Sequence, residues 1–181
     1  MTPRARGSRS RGATMIEFVL VGIPMMFMLI CIFEISRGMW VYSTEAFAVK
    51  EGVRFAIVHG TDCVGPPQNP NNPNTNYCPA TVGDVAWVIW QAGVGLDLAT
   101  TKVVFTAADG SVITCATLTA CLTNANNWPP QTTVGNAVGE PVRIDISTPF
   151  YSALGMFWPG SKGALFAPVT FGASSTDYIQ F

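Results

Sequence analysis

The sequence has few of the residues from which active sites are built. It contains one histidine, His59, and charged residues make up 12% of the chain, about half the usual share in globular proteins. It has no Cys-x-x-Cys spacing and no Gly-x-Ser-x-Gly elbow, and its carboxylates follow no calcium-loop pattern. A lone histidine near a helix end is more often a cap-region residue than a general base. The sequence therefore predicts no enzyme, no catalytic residue, no metal site and no cofactor.

Positive charge is scarce outside the first twelve residues. Four of the ten basic residues are the leader arginines Arg4, Arg6, Arg9 and Arg11, and no acidic residue precedes Glu17. Without residues 1–12, six basic and eleven acidic side chains remain, a net charge of about −5. Because nucleic-acid binding depends largely on neutralising phosphates, we expect no nucleic-acid partner.

The longest hydrophobic run follows this leader. No polar side chain occurs from Phe18 to Phe33, and hydrophobic character continues to Val41 with two charged interruptions. A helix needs roughly 20 mostly apolar residues to cross the bilayer core, which predicts a membrane-spanning part at about 16–42. The leader arginines predict a cytoplasmic N-terminus, so the rest of the chain would lie outside the cytoplasm.

Such a segment is typical of a cleaved secretory signal, an uncleaved signal anchor or a filament subunit. A small-residue secretory site at Ala46-Phe47-Ala48 lies far beyond the apolar run. Glu17 bears on the other two, since a carboxylate near the start of a membrane helix costs a few kcal/mol if it goes deep. In a filament, cleavage after Gly12 would free the α-amino group of Ala13, which could neutralise Glu17 of a neighbouring subunit and set the register. The alternative is that Glu17 lies at the headgroup level and favours the helix N-terminus.

The stretch from Gly12 to Phe18 resembles the class III signal of type IV pilins and pseudopilins. More narrowly, the chain resembles the TadE-like minor pilins (pseudopilins) of the tight-adherence, or Flp, type IV pilus system. The stretch Glu45–Ala56 is similar to the family's helical Gly-x-Arg motif, here Gly52 and Arg54. Gly139–Ile146 is similar to its C-terminal strand.

This resemblance implies that a prepilin peptidase cuts between Gly12 and Ala13 and that Glu17 serves subunit register and assembly. It implies a structural subunit that supports assembly or adhesion of a Flp-type pilus. The implied partners are other pilin and minor pilin subunits, the prepilin peptidase, the inner-membrane pilus assembly machinery and membrane lipid. The chain would cross the inner membrane once, with a cytoplasmic N-terminus and a periplasmic C-terminal domain. Its final place would be that membrane or an extracellular pilus.

Three parts are predicted: a basic leader at 1–12, a long N-terminal helix at 13–60 that stops near Gly60, and an extracytoplasmic α+β domain at 61–181. In the expected fold the long helix packs on a small antiparallel sheet, with a second short helix. The apolar stripe of the long helix is predicted at Ala46, Val49, Val53, Ala56 and Ile57. The second helix is predicted to start at Thr81 or at Gly83-Asp84 and to close at Gly93. Strands are predicted at 102–106, 111–114, 142–147, 167–171 and 175–179, with a hairpin turn at Asp109-Gly110.

Four of the five cysteines fall in the exported part as two sequence-near pairs. Cys63 and Cys78 bracket a loop rich in Asn and Pro, and Cys115 and Cys121 bracket a short Thr/Ala loop. We expect a disulfide within each pair, although four cysteines allow three connectivities. Cys31, in the apolar run, is interpreted as a small packed hydrophobe.

Two segments leave room for a recognition role. The aromatic segment at 150–158 could bind other subunits or a surface, or it could pack beneath a loop. The Asn/Pro loop at 62–80 could face a receptor, or it could be a variable insertion. A signal-anchored periplasmic binding module and, behind it, an exported enzyme are the alternatives to the minor pilin.

Overall fold

The computed structural model describes residues 10–60, 63, 78–152 and 168–180, and the backbone alone for residues 10–14. The helices are α1 Ser10–Ile57, α2 Val82–Ala92 and α3 Leu118–Leu122, and the strands are β1 Lys102–Ala107, β2 Val112–Cys115, β3 Pro141–Phe150 and β4 Val169–Tyr178. The four strands form one antiparallel sheet in the order β2-β1-β3-β4. The predicted α+β class, with a long N-terminal helix and a small antiparallel sheet, is confirmed.

Helix α1 is continuous over 48 residues, with Pro24 inside it, and its two halves have different surroundings. Its most apolar window, of mean hydropathy 2.5, is not buried by any other part of the described protein. The C-terminal half instead packs on the sheet and on α2. The buried positions of this half include Glu45, Ala48, Val49, Val53, Ala56 and Ile57.

The predicted stripe is correct at four of its five positions, but Ala46 is exposed and its neighbour Glu45 is buried instead. The helix also ends at Ile57, before the predicted stop at Gly60. At this point the Ile57 carbonyl accepts a hydrogen bond from Gln180 N at 2.9 Å. The chain segment after β4 therefore binds a carbonyl at the helix terminus, a tertiary contact that local sequence signals do not include.

Helix α2 starts with a capping box. Thr81 Oγ1 accepts from Asp84 N at 3.1 Å, and the Asp84 carboxylate accepts from Thr81 N at 2.9 Å. Both predicted start signals therefore act together, with Thr81 as N-cap and Asp84 as the third helical residue. The helix buries Val85 and Ile89 against the core, and Gly93 is its C-cap, as predicted.

The β1–β2 hairpin turns at Asp109-Gly110, as predicted. Gly110 has φ +82°, a left-handed conformation that suits glycine, and Ser111 N donates to Asp109 Oδ1 at 2.8 Å. In β3 the predicted alternation is also correct, because Ile144 and Ile146 are buried while Arg143 is exposed.

Two further local predictions are wrong. The strands expected at 167–171 and 175–179 form the single strand β4, because the residues between them pair without interruption along β3, with Ala173 opposite Ile146. The segment between Cys115 and Cys121, expected as a loop, contains most of the short helix α3. Thr117 caps that helix by accepting from Ala120 N at 3.2 Å.

Helix α1 and strand β4 run side by side in the same direction. Gly38 faces the Phe171 ring at one end, and Ile57 binds Gln180 at the other. The helical path from Gly38 to Ile57 is about 28 Å, and the strand path from Phe171 to Gln180 is about 30 Å. The sheet thus packs along one face of the last 20 residues of α1.

Candidate functional site: the N-terminal helix and its junction with the sheet

The N-terminal half of α1 presents an uncovered apolar surface. Met15, Phe18 and Phe33 are 76%, 77% and 74% exposed. A helix that is hydrophobic all round is normally buried in a core or in a membrane. By length and composition this helix can cross a membrane, and its exposure sets it apart from the core helix of a soluble protein.

The predicted cleavage site and Glu17 lie at the start of this helix. Gly12 and Ala13 are within the first turn of α1, which begins at Ser10. Glu17 is exposed, four residues after Ala13. Among the described residues the ion pairs are Arg37–Glu34, Arg54–Glu51 and Arg143–Asp145, so Glu17 has no cationic partner within this part of its own chain. Its role in assembly stays a prediction.

Gly52 marks the closest approach of α1 to α2. A Cβ atom at Gly52 would lie 2.6 Å from Ile89 Cγ1 and 3.0 Å from Ile89 Cδ1, and 3.7 Å from Ile144 Cδ1 of β3. Ile89 and Ile144 are fully buried. A side chain at position 52 would therefore force apart the packing of α1, α2 and the sheet.

Arg54, the other residue of the Gly-x-Arg stretch, points outward. Its Nη1 lies 2.7 Å from Glu51 Oε1, one turn earlier, and more than half of its side chain is exposed. An exposed pair of this kind contributes little, and a cation in the last helical turn favours the helix dipole. Gly52 thus allows close packing of the core, while Arg54 makes an exposed ion pair at the C-terminal end of the helix.

Arg37 joins α1 to one end of the sheet, a role that the sequence did not reveal. Its Nη2 donates to the Tyr151 carbonyl at 3.0 Å, and its guanidinium carbon lies 4.7 Å from the centroid of the Phe150 ring. Its Nη1 also lies 3.7 Å from Glu34 Oε1. The next residue, Gly38, is buried, and a Cβ there would lie 3.4 Å from the Phe171 ring. The helix is therefore held against the ends of β3 and β4 at this level.

Glu45 is a second residue that sequence reasoning missed. Its side chain is fully buried in the stripe that faces the sheet, and neither carboxylate oxygen makes a hydrogen bond of good geometry. Burial raises the pKa of this carboxyl group, and the nearby Thr148 hydroxyl offsets part of that shift. The same hydroxyl lies 3.0 Å from Thr101 Oγ1. The sequence signal for its burial is its helical spacing to Val49 and Val53. A glutamate at such a position, however, would normally be assigned to the solvent-exposed edge of an apolar stripe.

The contribution of Glu45 to the stability of the domain should therefore fall as pH rises. Because the folded-state pKa of Glu45 lies above its unfolded value, its stabilising effect is complete below the unfolded pKa and is lost as pH rises through the folded pKa. Each pKa unit of the shift corresponds to about 1.4 kcal/mol. We expect Glu45→Gln to unfold at a higher temperature than the native chain at pH 8 and to lose this component of the pH dependence. Thermal unfolding of the full chain in detergent, followed by tryptophan fluorescence, measures both.

Glu51→Gln is the matched control, since Glu51 lies on the same helix in an exposed ion pair. We expect it to change stability by less than about 1 kcal/mol with no gain at high pH. If Glu45→Gln instead unfolds more easily than the native chain at pH 8, then the carboxylate is charged and well compensated, and the argument from burial is wrong.

The expected cysteine pairs are present. Cys63 lies beside Cys78 and Cys115 beside Cys121, with Cα atoms 5.6 Å and 5.5 Å apart, a distance that fits a disulfide within each pair. Cys31 is free and exposed, so its interpretation as a packed hydrophobe is wrong for the chain by itself. The reason is that no other described part of the chain covers this half of α1.

The described residues do not assemble a catalytic or metal centre. His59 Nδ1 lies 2.6 Å from the Phe55 carbonyl, and its ring lies 4.3 Å from the Phe55 ring, so the histidine serves the end of α1. Hydrogen bonds from Ser111 and Thr132 lower the pKa of the Asp109 carboxyl group and tie it to the hairpin. No three His, Cys, Asp or Glu side chains of the described ranges lie close enough together to hold a metal ion.

An open groove of about 640 Å³ lies between the start of α2 and the end of α3. Trp87, which is 49% exposed, forms one wall, and Asp84 and Asn124 also line it. Asp84 is already engaged by Thr81, and Asn124 Oδ1 accepts from Asn126 N. The groove is a shallow surface feature whose polar groups serve the local fold. The aromatic segment 150–158 is described up to Ser152, and its remainder and most of the loop at 62–80 lie outside the described residues.

Comparison with known proteins supports the resemblance at the N-terminus. The model of the TadE-like protein family matches residues 12–54, less than half of the chain. This range runs from the expected cleavage site to the Gly-x-Arg stretch. The family is one of structural proteins associated with the tight-adherence pilus and not one of enzymes. No curated protein and no solved structure gives a significant match.

Proposed function

We propose that this chain is a minor pilin of a Flp-type pilus, a structural subunit that supports pilus assembly or adhesion. One observation carries the proposal. A Gly12-Ala13 junction and a carboxylate at Glu17 lie at the start of a helix whose apolar N-terminal half the sheet leaves uncovered, within the range that matches the TadE-like family. In this proposal a prepilin peptidase removes residues 1–12, and Ala13 becomes the mature N-terminus.

The uncovered half of α1 supports a subunit that moves from lipid into a filament. Met15, Phe18 and Phe33 are among the apolar side chains that need cover, and either lipid tails or neighbouring pilin helices can supply it. Glu17 is the one charged side chain between the leader and Glu34. Pairing it with the Ala13 ammonium of a neighbour would compensate both charges as the helices leave the membrane.

The proposed topology follows from the charges and the disulfides. The leader arginines favour a cytoplasmic N-terminus in the inner membrane. Two disulfides suit the oxidising periplasm, where the sheet domain would then lie. The subunit would meet the pilus assembly machinery in the membrane and other pilin and minor pilin subunits during assembly.

A signal-anchored periplasmic binding module is the second candidate. The observation on its side is the shallow groove beside Trp87, whose exposed ring could contact a ligand without any assembly of subunits. It differs from the minor pilin in requiring neither removal of the leader nor a carboxylate at Glu17. An exported enzyme is the third candidate, and no group of described side chains favours it.

The mass of the intact chain extracted from membranes tests the proposal. With the prepilin peptidase present, we expect a mature chain that begins at Ala13, and without the peptidase we expect residues 1–12 to remain attached. Gly12→Leu should block the cut, because the residue before the scissile bond would no longer be small. Gly7→Leu, also within the leader, is the matched control and should be processed normally. A leader that persists in the presence of the peptidase would rule out the minor pilin and favour the anchored module.

A further inference from the structure

The end of the sheet nearest to Arg37 is apolar and exposed. We call Phe150, Tyr151, Val169 and Phe171 the sheet end. Tyr151 and Val169 are 57% and 59% exposed. The rings of Phe150 and Phe171 lie 5.2 Å apart and contact Arg37 and Gly38 of the helix.

No spacer separates the sheet end from the uncovered half of α1. The sheet covers α1 from Gly38 onward, and the 22 residues from Met15 to Ser36 span about 33 Å. A bilayer core is about 30 Å thick. If this segment crosses the membrane, almost its whole length is needed to span the core, and the sheet end then lies at the level of the headgroups. The headgroup layer is only about 5–8 Å deep on each side, so there is no room for an intervening water layer.

The charged side chains of β3 and β4 lie away from the sheet end. The described residues at 147–152 and 168–176 carry no charged side chain. Arg143, Asp145 and Asp177 of β3 and β4 all lie toward the opposite end. In β1, Lys102 is opposite Ser147, three residues or about 10 Å from Phe150. The end of the sheet that adjoins the membrane helix therefore has the smaller desolvation cost when it leaves water.

The helix beside the sheet end adds amphipathic aromatic groups. Trp40 and Tyr42 are 62% and 50% exposed. Trp40 is two residues after Gly38, where a Cβ atom would lie 3.4 Å from the Phe171 ring, so Trp40 is at the same end of the domain. Trp and Tyr are enriched where membrane and water meet, because one part of each ring system is apolar and the other is polar.

We propose that the sheet end is a second membrane contact, which lies in the headgroup layer of the outer leaflet. The occupant of this surface is lipid, because the surface continues directly from the apolar half of α1 and lies at the depth where that half reaches the far side of the bilayer core. The membrane-spanning helix and the sheet end together fix the height of the domain above the membrane and its tilt. The helix alone would leave both free to vary. The membrane-spanning part then ends near Arg37, earlier than the boundary of about 42 expected from the sequence. This inference rests on the membrane anchoring in the proposed function.

Nitroxide accessibility in lipid nanodiscs tests the inference with the full chain. In a Cys31→Ser background, with both disulfides kept oxidised, a spin label is placed at Val169→Cys or at Tyr178→Cys. These positions are the two ends of β4 and have matched exposures of 59% and 60%, so both labels should be tolerated. Collisions with oxygen report lipid, and collisions with a water-soluble nickel chelate report water. We expect the ratio of oxygen to nickel accessibility to be severalfold higher at Val169 than at Tyr178.

The native Cys31, labelled in detergent before reconstitution, separates this inference from the anchoring on which it rests. Cys31 lies within the apolar half of α1, so its label should be accessible to oxygen and protected from nickel. If Cys31 is protected while Val169 is as open to nickel as Tyr178, the membrane contact is wrong and the anchoring stands. If Cys31 is itself open to nickel, both fail. The same Val169 label is also measured in oligomers of the chain that contain no lipid. If it is as protected from nickel there as in nanodiscs, a second copy of the chain covers the sheet end, and the lipid assignment is overturned.

Discussion

Gly52→Val should disrupt the packing of α1 on α2 and destabilise the domain. The Cβ of even Gly52→Ala would lie 2.6 Å from Ile89 Cγ1, close to the branch point of a fully buried side chain. Overpacking of a core costs about 1–3 kcal/mol, against which alanine regains about 0.5–1 kcal/mol of helix propensity. Valine adds two further methyl groups. Domains are stable by about 5–15 kcal/mol, so we expect Gly52→Ala to be measurably destabilised and Gly52→Val to lose a larger share of that stability.

Urea unfolding of the full chain in detergent, followed by tryptophan fluorescence, measures these losses. Gly22→Ala is the matched control on the same helix, because the nearest atom to its Cβ would be in the Phe18 ring at 3.8 Å, an ordinary contact. It should leave stability unchanged or slightly raise it. Adding Ile89→Ala to Gly52→Ala removes the clashing atom, so the double variant should be more stable than the sum of the single losses implies. Strict additivity of the two losses would show that Gly52 is not held small by Ile89.

Glu17→Ala should abolish incorporation into pili while leaving removal of the leader unchanged. In the proposed filament the carboxylate compensates the Ala13 ammonium of a neighbouring subunit. Breaking a buried pair by removing one partner costs about 3–5 kcal/mol, which corresponds to a loss of roughly a hundredfold or more in the association constant. Glu17→Asp keeps the charge on a shorter side chain and should retain part of the incorporation. The measurement is the share of the subunit found in sheared pili, with its N-terminus identified by mass spectrometry.

Glu51→Ala is the control for this experiment, since it removes a carboxylate from the exposed surface of the same helix. It should be processed and incorporated normally. Native incorporation of Glu17→Ala would contradict the register role and support a carboxylate that merely lies at the headgroup level. Loss of both processing and incorporation would place the effect of Glu17 in recognition by the peptidase.

The elements that sequence reasoning located correctly are those with local signals. The Thr81 and Asp84 capping box, the Asp109-Gly110 turn and the period-two alternation around Ile144 each lie within a few residues and need no distant partner. The sequence predicts two strands in place of β4 because the small polar middle of β4 has little pattern of its own, and only pairing with β3 makes the strand continuous. Helix α3 is short, and its five residues give too little periodicity to be distinguished from a loop.

The candidate site divides in the same way. The expected cleavage junction, Glu17 and the apolar run are adjacent in the sequence, and their spacing along one helix was sufficient to suggest their roles. Arg37 and Glu45 act through Tyr151 and Thr148, more than a hundred residues away. An isolated arginine and an isolated glutamate carry no sign of such partners until the chain is folded.

The sequence by itself determined that the chain has a basic leader, one apolar helix of membrane length and paired cysteines, because composition and spacing along the chain are enough to establish each of these. The tertiary structure decided which end of the sheet adjoins that helix and why position 52 must be small. It also decided that Glu45 is buried and that the cover of α1 begins at Gly38. These depend on which distant residues meet across the helix–sheet contact, and steric fit and desolvation act only between groups that folding has brought together.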